Sequence, residues 1–471
     1  MRPFASFDAS APADRVRQGA AARLRTDATV LWLALAPAFA FLRQRSNFIQ
    51  GWEAAAAAGA ALSGGESAGA VGAAGVPALG SWMMLPDLTS PETRTVLPMN
   101  DSLYGATHVE LDRQGPMVVG VPADPDGRYY SVGILDGHWT NVAHLGPKWT
   151  GRGEVEVLLV PPDWHGEAPD GMHVIVSPTA SVCLLNRVLV RYDDGDIDRV
   201  RAWRGGFTLR PLGGRLVDVP HADLVRPDLA TLDDPWRYFA LGLDHLRRNP
   251  WPVEVAWVDE LVDVDAIMSA DEEWSRQAVL DGVEDAQAIV DATLTAWPRR
   301  DGWRLTFPWV GLPTSHLARN AALQLFQVGS NDLGEAAYFF ADVDASGAVL
   351  DGSGGTAYEV VFAGGSLPPV DAAGFWSLTM YGTDNLLVEN PIHRYSTRST
   401  RPGFRRGPDG SATVVLATAL PDGVDEANWL PAPPGPFRLG LRLYYPTSPV
   451  ATGEWTPPPV NRRGAGDGGR S

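Results

Sequence analysis

Phe375-Trp376-Ser377-Leu378-Thr379-Met380-Tyr381, then Asn390-Pro391-Ile392-His393-Arg394-Tyr395, then Asn428-Trp429-Leu430-Pro431-Ala432-Pro433: the fold of this chain is read from these three pieces. The first alternates. Phe375, Ser377, Thr379 and Tyr381 share one side, and Trp376, Leu378 and Met380 share the other, which describes a strand with two unlike faces. The next two set Asn, Arg, Tyr and Trp beside prolines, which is stiff loop chemistry at strand ends, where polar groups are displayed. Phe437–Tyr445 repeats the alternation, with Phe437, Leu439, Leu441, Leu443 and Tyr445 on one side and Arg438, Gly440, Arg442 and Tyr444 on the other.

Working outward, Ala337–Val343, Tyr358–Phe362 and Thr413–Thr418 read as further strands of one C-terminal β domain. Upstream, Pro116–Val121 and Tyr129–Leu135 are joined at Asp124-Pro125-Asp126-Gly127, a turn signal, with Tyr130, Val132 and Ile134 as a core face. Glu154–Val160, His173–Ser177 and Val182–Tyr192 continue as strands. Between the two β regions the period changes. Trp236, Phe239, Ala240, Leu243 and Leu246 recur at helical spacing behind Asp233 and Asp234, and Val258–Met268, Asp271–Trp297 and Leu317–Gln327 follow as helices.

The expected fold class is therefore α+β, mainly β: two antiparallel β-sandwich or jelly-roll-like domains, an N-terminal helical cap and a helical insert between the domains. The boundaries read as a loosely ordered segment 1–26, a helical cap with an Ala/Gly-rich loop 27–94, a β domain 95–230, a helical insert 231–330, a β domain 331–460 and a disordered tail 461–471. No internal repeat is visible.

Both β regions resemble a known family. Pro98-Met99-Asn100-Asp101-Ser102-Leu103-Tyr104-Gly105, Gly115-Pro116, Val121-Pro122-Ala123-Asp124 and Gly127-Arg128-Tyr129-Tyr130, with Asp136 and Asn141, follow the pattern of the domain of unknown function DUF1254. Ser102 and Gly105 depart from its Thr and Ser. The C-terminal pieces, with Asp409-Gly410-Ser411 and Gly453-Glu454-Trp455-Thr456-Pro457-Pro458, follow DUF1214. The chain is thus identified as a member of the two-domain family that joins them. Ala28–Leu42, an apolar run with Pro37 inside it, resembles the family's first helix. The same run can be read as a signal peptide, which would make the protein secreted. Its shortness and the resemblance place it in the fold, retained, in a cytoplasmic protein.

Composition bounds the partners. The 471 residues are 45% hydrophobic and 20% charged, with 50 Gly and 39 Pro, a soluble globular mixture rich in turns. The net charge of −18, from 56 acidic against 38 basic residues, argues against nucleic acid and against an anionic membrane surface. Cys183, the one cysteine, forbids an internal disulfide and reads as a buried structural thiol. Seventeen tryptophans fill cores and leave some for an aromatic-lined pocket.

No Gly-x-Gly-x-x-Gly opens a helix after a strand, no Gly-Lys-Ser/Thr or His-Glu-x-x-His motif occurs, and no Gly-x-Ser-x-Gly forms a nucleophile elbow between a strand and a helix, so no cofactor and no metal centre is expected. What remains is a polar set in the matched regions. Asp101 reads as a general base, Tyr104 as a donor and Arg394 as an anion anchor. Asn100, Asp136, Asn141, Trp376, Tyr381, Asn390, Asn428 and Trp429 read as substrate-binding residues around them. Each has a structural alternative. Asn100-Asp101 can form a turn, Asp136 can cap one, Arg394 can bond loop carbonyls, and Trp429 can plug the sandwich. His138 and His144 read as incidental loop histidines. Three functions follow. The first is a cofactor-independent lyase, isomerase or hydrolase using acid–base chemistry on a small, carboxylate-bearing substrate in a pocket between the β domains. The second is a small-molecule or glycan binder. The third is a structural protein that buries these motifs at a homo-oligomer interface.

Overall fold

Alternating apolar residues build the sheets, and a long Ala-rich helix packs in a helical layer beside them. The computed structural model describes residues 13–57, 78–93, 96–220, 224, 227, 231, 233–306, 310–312, 314–398 and 400–464. Helix α1 (Ala13–Ala57) comes first. The N-terminal half then runs β1 (Met83–Met84), β2 (Ser102–Glu110), α2 (Leu111–Gln114), β3 (Met117–Val121), β4 (Tyr130–Asp136), β5 (Asn141–Leu145), β6 (Val155–Val160), β7 (His173–Val176), β8 (Ser181–Leu189), α3 (Asp196–Arg204) and β9 (Thr208–Pro211). A helical stretch follows with α4 (Pro235–Leu246), α5 (Val258–Leu261), α6 (Val264–Met268), α7 (Glu273–Thr295) and, after β10 (Arg299–Arg300) and β11 (Trp303–Leu305), α8 (Leu317–Phe326). The C-terminal half adds β12 (Ala336–Ala341), β13 (Tyr358–Phe362), β14 (Val370–Tyr381), β15 (Ser396–Thr397), β16 (Ala412–Ala417), β17 (Trp429–Pro431), β18 (Arg438–Pro446), α9 (Ser448–Ala451) and β19 (Val460–Arg462).

Sheet β1-β2-β8-β4-β5 packs on sheet β7-β6-β3-β9 around Val119, Tyr130, Val132, Ile134, Val157 and Leu184. Sheet β10-β11-β12-β18-β14-β15 packs on sheet β17-β16-β13-β19 around Phe339, Trp376, Leu378, Leu416, Leu430 and Leu441. The pairs β6–β7 and β16–β17 are parallel, and the long central pairs are antiparallel. The α+β architecture is thus two β-sandwiches with a helical layer.

The second face of each larger sheet is buried too. Phe41 of α1 packs with Leu135, Trp139 and Cys183. Tyr129, Tyr338, Phe375 and Tyr444 share one cluster with Leu31, Leu35 and Phe39 of α1 and with residues of α4, α7 and α8. This is why β14 and β18 carry large side chains on both sides. At β18, Tyr445 leaves the expected alternation. Its φ of 53° turns its ring toward Tyr129 instead of into the row of Leu439, Leu441 and Leu443.

Several boundaries differ from the sequence reading. Residues 13–26, expected to be loosely ordered, are the first turns of α1. Arg25 holds Asp285 through Nε at 2.5 Å and Nη2 at 2.7 Å, and Thr29 donates to the Gly282 carbonyl at 2.9 Å. Pro37 does not stop the helix, because burial on all sides offsets the one lost hydrogen bond. Strands β10 and β11 lie inside the stretch read as helical insert but extend the sheet of β12. Residues 461 and 462 are not tail: β19 pairs with β13 at Tyr358↔Arg462 and Glu359↔Asn461. Residues 1–12, most of the Ala/Gly-rich loop (58–77) and 465–471 lie outside the described residues. The capping expectation at Asp234 is met: its side chain accepts from Arg237 N at 3.1 Å, with Pro235 at the first helical position.

Candidate acid–base site

The expected trio of Asp101, Tyr104 and Arg394 does not converge. Asp101 is buried and accepts from Ser377 Oγ, from Ser396 Oγ at 3.1 Å and from Arg398 Nη1 at 3.3 Å. Every bond of this carboxylate is used across the join between the sandwiches. Arg394 points elsewhere. It donates Nη1 to the carbonyls of Glu426 and Trp429 (the latter at 2.9 Å) and Nη2 to Glu426 Oε1 at 2.8 Å. Tyr104 lies on β2 rather than in a loop, opposite Arg187 of β8, and its hydroxyl accepts from Met99 N at 3.3 Å.

The expected binding residues mostly hold loops. Asn100 donates to the Thr89 carbonyl. Asp136 Oδ1 accepts from His138 N at 2.8 Å and Thr140 N at 2.9 Å, which caps the β4–β5 turn, and burial pushes its carboxyl up. Asn390 closes its own turn on Arg394 N at 3.0 Å, and Asn428 bridges the carbonyls of Arg405 and Thr413. Trp376 lies in the C-terminal sandwich core against Phe362, and Trp429 donates Nε1 to the Ala417 carbonyl at 2.8 Å. Tyr381 donates to the Pro98 carbonyl at 2.7 Å and accepts from Arg442 at 2.7 Å. Cys183 is a buried thiol whose pKa is pushed up by burial.

Asn141 leads to a group that sequence reasoning passed over. A register shift between Ile134 and Leu135 turns its amide toward the loop carbonyls of Gly311 (3.0 Å) and Ser330 (2.9 Å). Those bonds fix the chain that delivers Asn331 and Asp332. Asp332 then accepts from Gly334 N at 2.8 Å, and its Oδ2 lies 3.1 Å from His144 Nε2. His144 comes from β5, Asp332 from the approach to β12. The pair lines a cleft of about 520 Å³ at the open end of the N-terminal sandwich, walled by Val142, Leu145, Val155, Val157 and Ile175. Trp149, 44% exposed, stacks on His144 with centroids 5.6 Å apart.

When the His144 ring is neutral, ionised Asp332 takes the Nε2–H, and Nδ1 is left as a bare acceptor. That Nδ1 is buried and has no hydrogen-bond partner among the described residues, and neither has Asn331 Nδ2. Both belong to one polar spot. A methyl group built on Gly133 would meet His144 Nδ1 at 3.6 Å, Asn331 Oδ1 at 3.7 Å and Arg187 Nη1 at 3.8 Å. Glu335 completes the surroundings, accepting from Tyr129 Oη at 2.5 Å and Trp149 Nε1 at 2.6 Å. The two carboxyls diverge. Burial raises Asp332, but the hydrogen bond from His144, the charge of its ring when protonated, and the backbone N–H groups of Gly334 and Glu335 outweigh it and hold the group below its ordinary range. Burial dominates at Glu335 and pushes it up. Among the described residues, no group of three or more His, Cys, Asp or Glu is placed to hold a metal ion.

Comparison with known proteins adds the family. The model of DUF1254, a protein of unknown function, matches residues 80–211, and that of DUF1214, also of unknown function, matches residues 335–448. The chain belongs to the two-domain DUF1254/DUF1214 family. Its DUF1254 part contains the whole N-terminal sandwich, and its DUF1214 part begins at Glu335. Asn331 and Asp332 therefore lie just outside both matched regions. The fold is shared with the VPA0106 protein of Vibrio parahaemolyticus at 18% identity and a TM-score of 0.64, over 94% of this chain and all of that one. An uncharacterized protein of Burkholderia cenocepacia matches at 13% identity and a TM-score of 0.43, over 97% of this chain and 91% of that one. No curated protein matches the DUF1254/DUF1214 chain.

Proposed function

We propose that this protein is an acid–base enzyme of the lyase, isomerase or hydrolase type. It moves a proton on a small carboxylate-bearing molecule held where the two sandwiches meet. The observation that carries this reading is the Nδ1 of His144, buried and without a hydrogen-bond partner among the described residues, on a ring oriented by Asp332 from the other half of the chain. A base held by a carboxylate on its far nitrogen is the usual arrangement for proton abstraction. Arg187 and the Asn331 amide stand beside it as donors for the charge that develops. The opposed shifts at Asp332 and Glu335 support the same reading, since neighbouring carboxyls driven apart divide acid and base roles. The test is hydrogen exchange in D2O, followed by NMR over a panel of small organic acids. The protein is expected to exchange the hydrogen next to a carboxylate in at least one of them, and His144→Gln to abolish it. Exchange that survives His144→Gln would sink the proposal.

A binding protein without chemistry is the second reading. It is favoured by Trp149, whose exposed ring beside an apolar cleft suits stacking on a planar ligand. On that reading Trp149→Ala costs ligand affinity, and His144→Gln changes affinity with no exchange to lose.

A further inference from the structure

The buried arginines are of two kinds. Arg45, Arg128 and Arg398 each hold a carboxylate: Glu110, Asp196 at 2.8 Å and Asp101 at 3.3 Å. Arg187 and Arg442 hold none among the described residues. Arg187 donates Nη1 to Asn331 Oδ1 at 3.1 Å and Nη2 to the Gly329 carbonyl at 2.7 Å. Arg442 donates Nη1 to Tyr381 Oη at 2.7 Å and Nη2 to the Leu97 carbonyl at 2.6 Å, with Thr379 Oγ1 at 3.5 Å. Arg187 is 6% exposed and Arg442 4%. Arg204 also lacks a carboxylate, but it ties strand edges, donating to the carbonyls of Leu85 and Tyr104.

Arg187 and Arg442 reach the join from opposite halves and meet the same segment: Arg187 lies 5.8 Å from the ring of Tyr104, whose hydroxyl accepts from Met99 N, and Arg442 donates to Tyr381, whose hydroxyl donates to the Pro98 carbonyl. Arg187 leaves β8 to bond the segment before β12, and Arg442 leaves β18 to bond the segment before β2. Tyr104, Tyr338 and Tyr444 each lie within charge reach of both guanidiniums. Tyr104 is only half-buried, so the cluster is not sealed from solvent. Glu335 lies within charge reach of Arg187, but both guanidiniums hydrogen-bond only to neutral acceptors among the described residues, which is costly for buried positive charges in the free protein. Planar forks of this kind match carboxylates two bonds at a time.

We infer that Arg187 and Arg442 together bind a small dicarboxylate, one carboxylate to each guanidinium, between the two sandwiches. The inference rests on the acid–base reading above and names its substrate class: Arg187 brings one end of the acid beside His144, and Arg442 holds the other.

Isothermal titration of the full chain with malonate, succinate and glutarate tests this, against acetate, neutral succinamide and inorganic phosphate. One dicarboxylate is expected to bind one to one, at least tenfold tighter than each control. Arg187→Gln and Arg442→Gln should each weaken it at least tenfold. Where a Gln variant fails to fold, Arg187→Lys and Arg442→Lys serve, since they keep the charge but lose the fork, and should weaken binding at least threefold. His144→Gln should bind within threefold of the parent while losing exchange in D2O. Binding of none of the three diacids, equal binding of succinamide, tighter binding of phosphate, or indifference to both arginine substitutions would overturn the inference. Loss of exchange in His144→Gln would still stand apart from any of these. Retained diacid binding with exchange unaffected by His144→Gln would instead remove the acid–base reading alone.

Discussion

Asp101 and Arg398 form a buried ion pair, Oδ1 to Nη1 at 3.3 Å, that fastens the N-terminal sandwich to the C-terminal one. Ser377 and Ser396 donate to the same carboxylate, and Arg398 Nη2 donates to the Val190 carbonyl at 2.6 Å. Breaking such a pair strands a charge in a dry site. Asp101→Asn is therefore expected to cost about 3–5 kcal/mol of stability, measured by urea denaturation. Asp101→Leu combined with Arg398→Met should recover much of that loss. A loss below about 1 kcal/mol for Asp101→Asn would mean that the pair is hydrated and does not clamp the halves.

The tautomer of His144 can be read without a substrate. With Asp332 ionised, nitrogen NMR should show a protonated Nε2 and a bare Nδ1. Asp332→Asn should mix the two tautomers. A protonated Nδ1 in the parent protein would remove the base from the proposed chemistry.

Gly133 offers a substitution that separates folding from function. A methyl group there meets only ordinary contacts, the nearest at 3.6 Å, on unstrained strand backbone. Gly133→Ala should leave stability within about 1 kcal/mol, yet place carbon in front of His144 Nδ1 and block exchange or ligand binding. Unchanged exchange would show that the substrate approaches from another side.

The two carboxyls make opposite contributions to the pH profile. Glu335 is raised in the folded state, so the stability linked to it is full below its ordinary value near 4.5 and is lost as pH rises through the folded value. Asp332 is lowered, so its contribution is present above its ordinary value near 3.8 and is lost as pH falls through the folded value. Melting temperature against pH should therefore fall less steeply above pH 4.5 in Glu335→Gln and less steeply into acid in Asp332→Asn. The same slope in parent and variant would contradict the corresponding shift.

Helix α1 meets α7 at Gly282, where an added Cβ would lie 2.3 Å from the Arg25 carbonyl oxygen and 2.9 Å from Ala28 Cβ. Gly282→Val should cost at least about 1–3 kcal/mol by overpacking, read by thermal and urea melts. By length and composition α1 could also cross a membrane, but 78% of its most apolar window is buried in this fold. Intact-mass measurement on protein from its native cells is expected to show the residues before Phe41 retained, whereas a chain beginning near Phe41 would identify a removed leader.

Much of the fold was legible because its signals are local. The two-sided strand Phe375–Tyr381, the turn at Asp124–Gly127 and the cap at Asp234 each declare themselves within a few residues. Strand β5 did not. It is five residues long, carries a bulge and holds two polar residues in Asn141 and His144. The candidate site was missed for a related reason. His144 and Asp332 lie 188 positions apart, and a lone histidine in a polar stretch gives no hint of its partner. Asn331-Asp332, with Glu335 just before an aromatic strand, carried the available signal, since it repeats the Asn-Asp pairing that drew attention to Asn100 and Asp101. The motif residues around Asn390 and Asn428 were conspicuous because rigid loops need many side-chain bonds to their own carbonyls, which a sequence does not distinguish from bonds kept for a ligand.

The burial of α1 against α7 and α8 sets an order of events during synthesis. The helix is made well before α7 and α8, the surfaces that cover it, which end at Phe326. At typical elongation rates the delay is roughly 15–60 s. For that time the N-terminal sandwich of the nascent chain can receive Phe41 and Arg45, but the apolar side chains Leu31, Leu35 and Phe39 lack the α7 and α8 surfaces that cover them. Such a chain is a natural client for ribosome-bound chaperones. Slowing translation before Phe326 should lower the yield of folded protein more than slowing it afterwards.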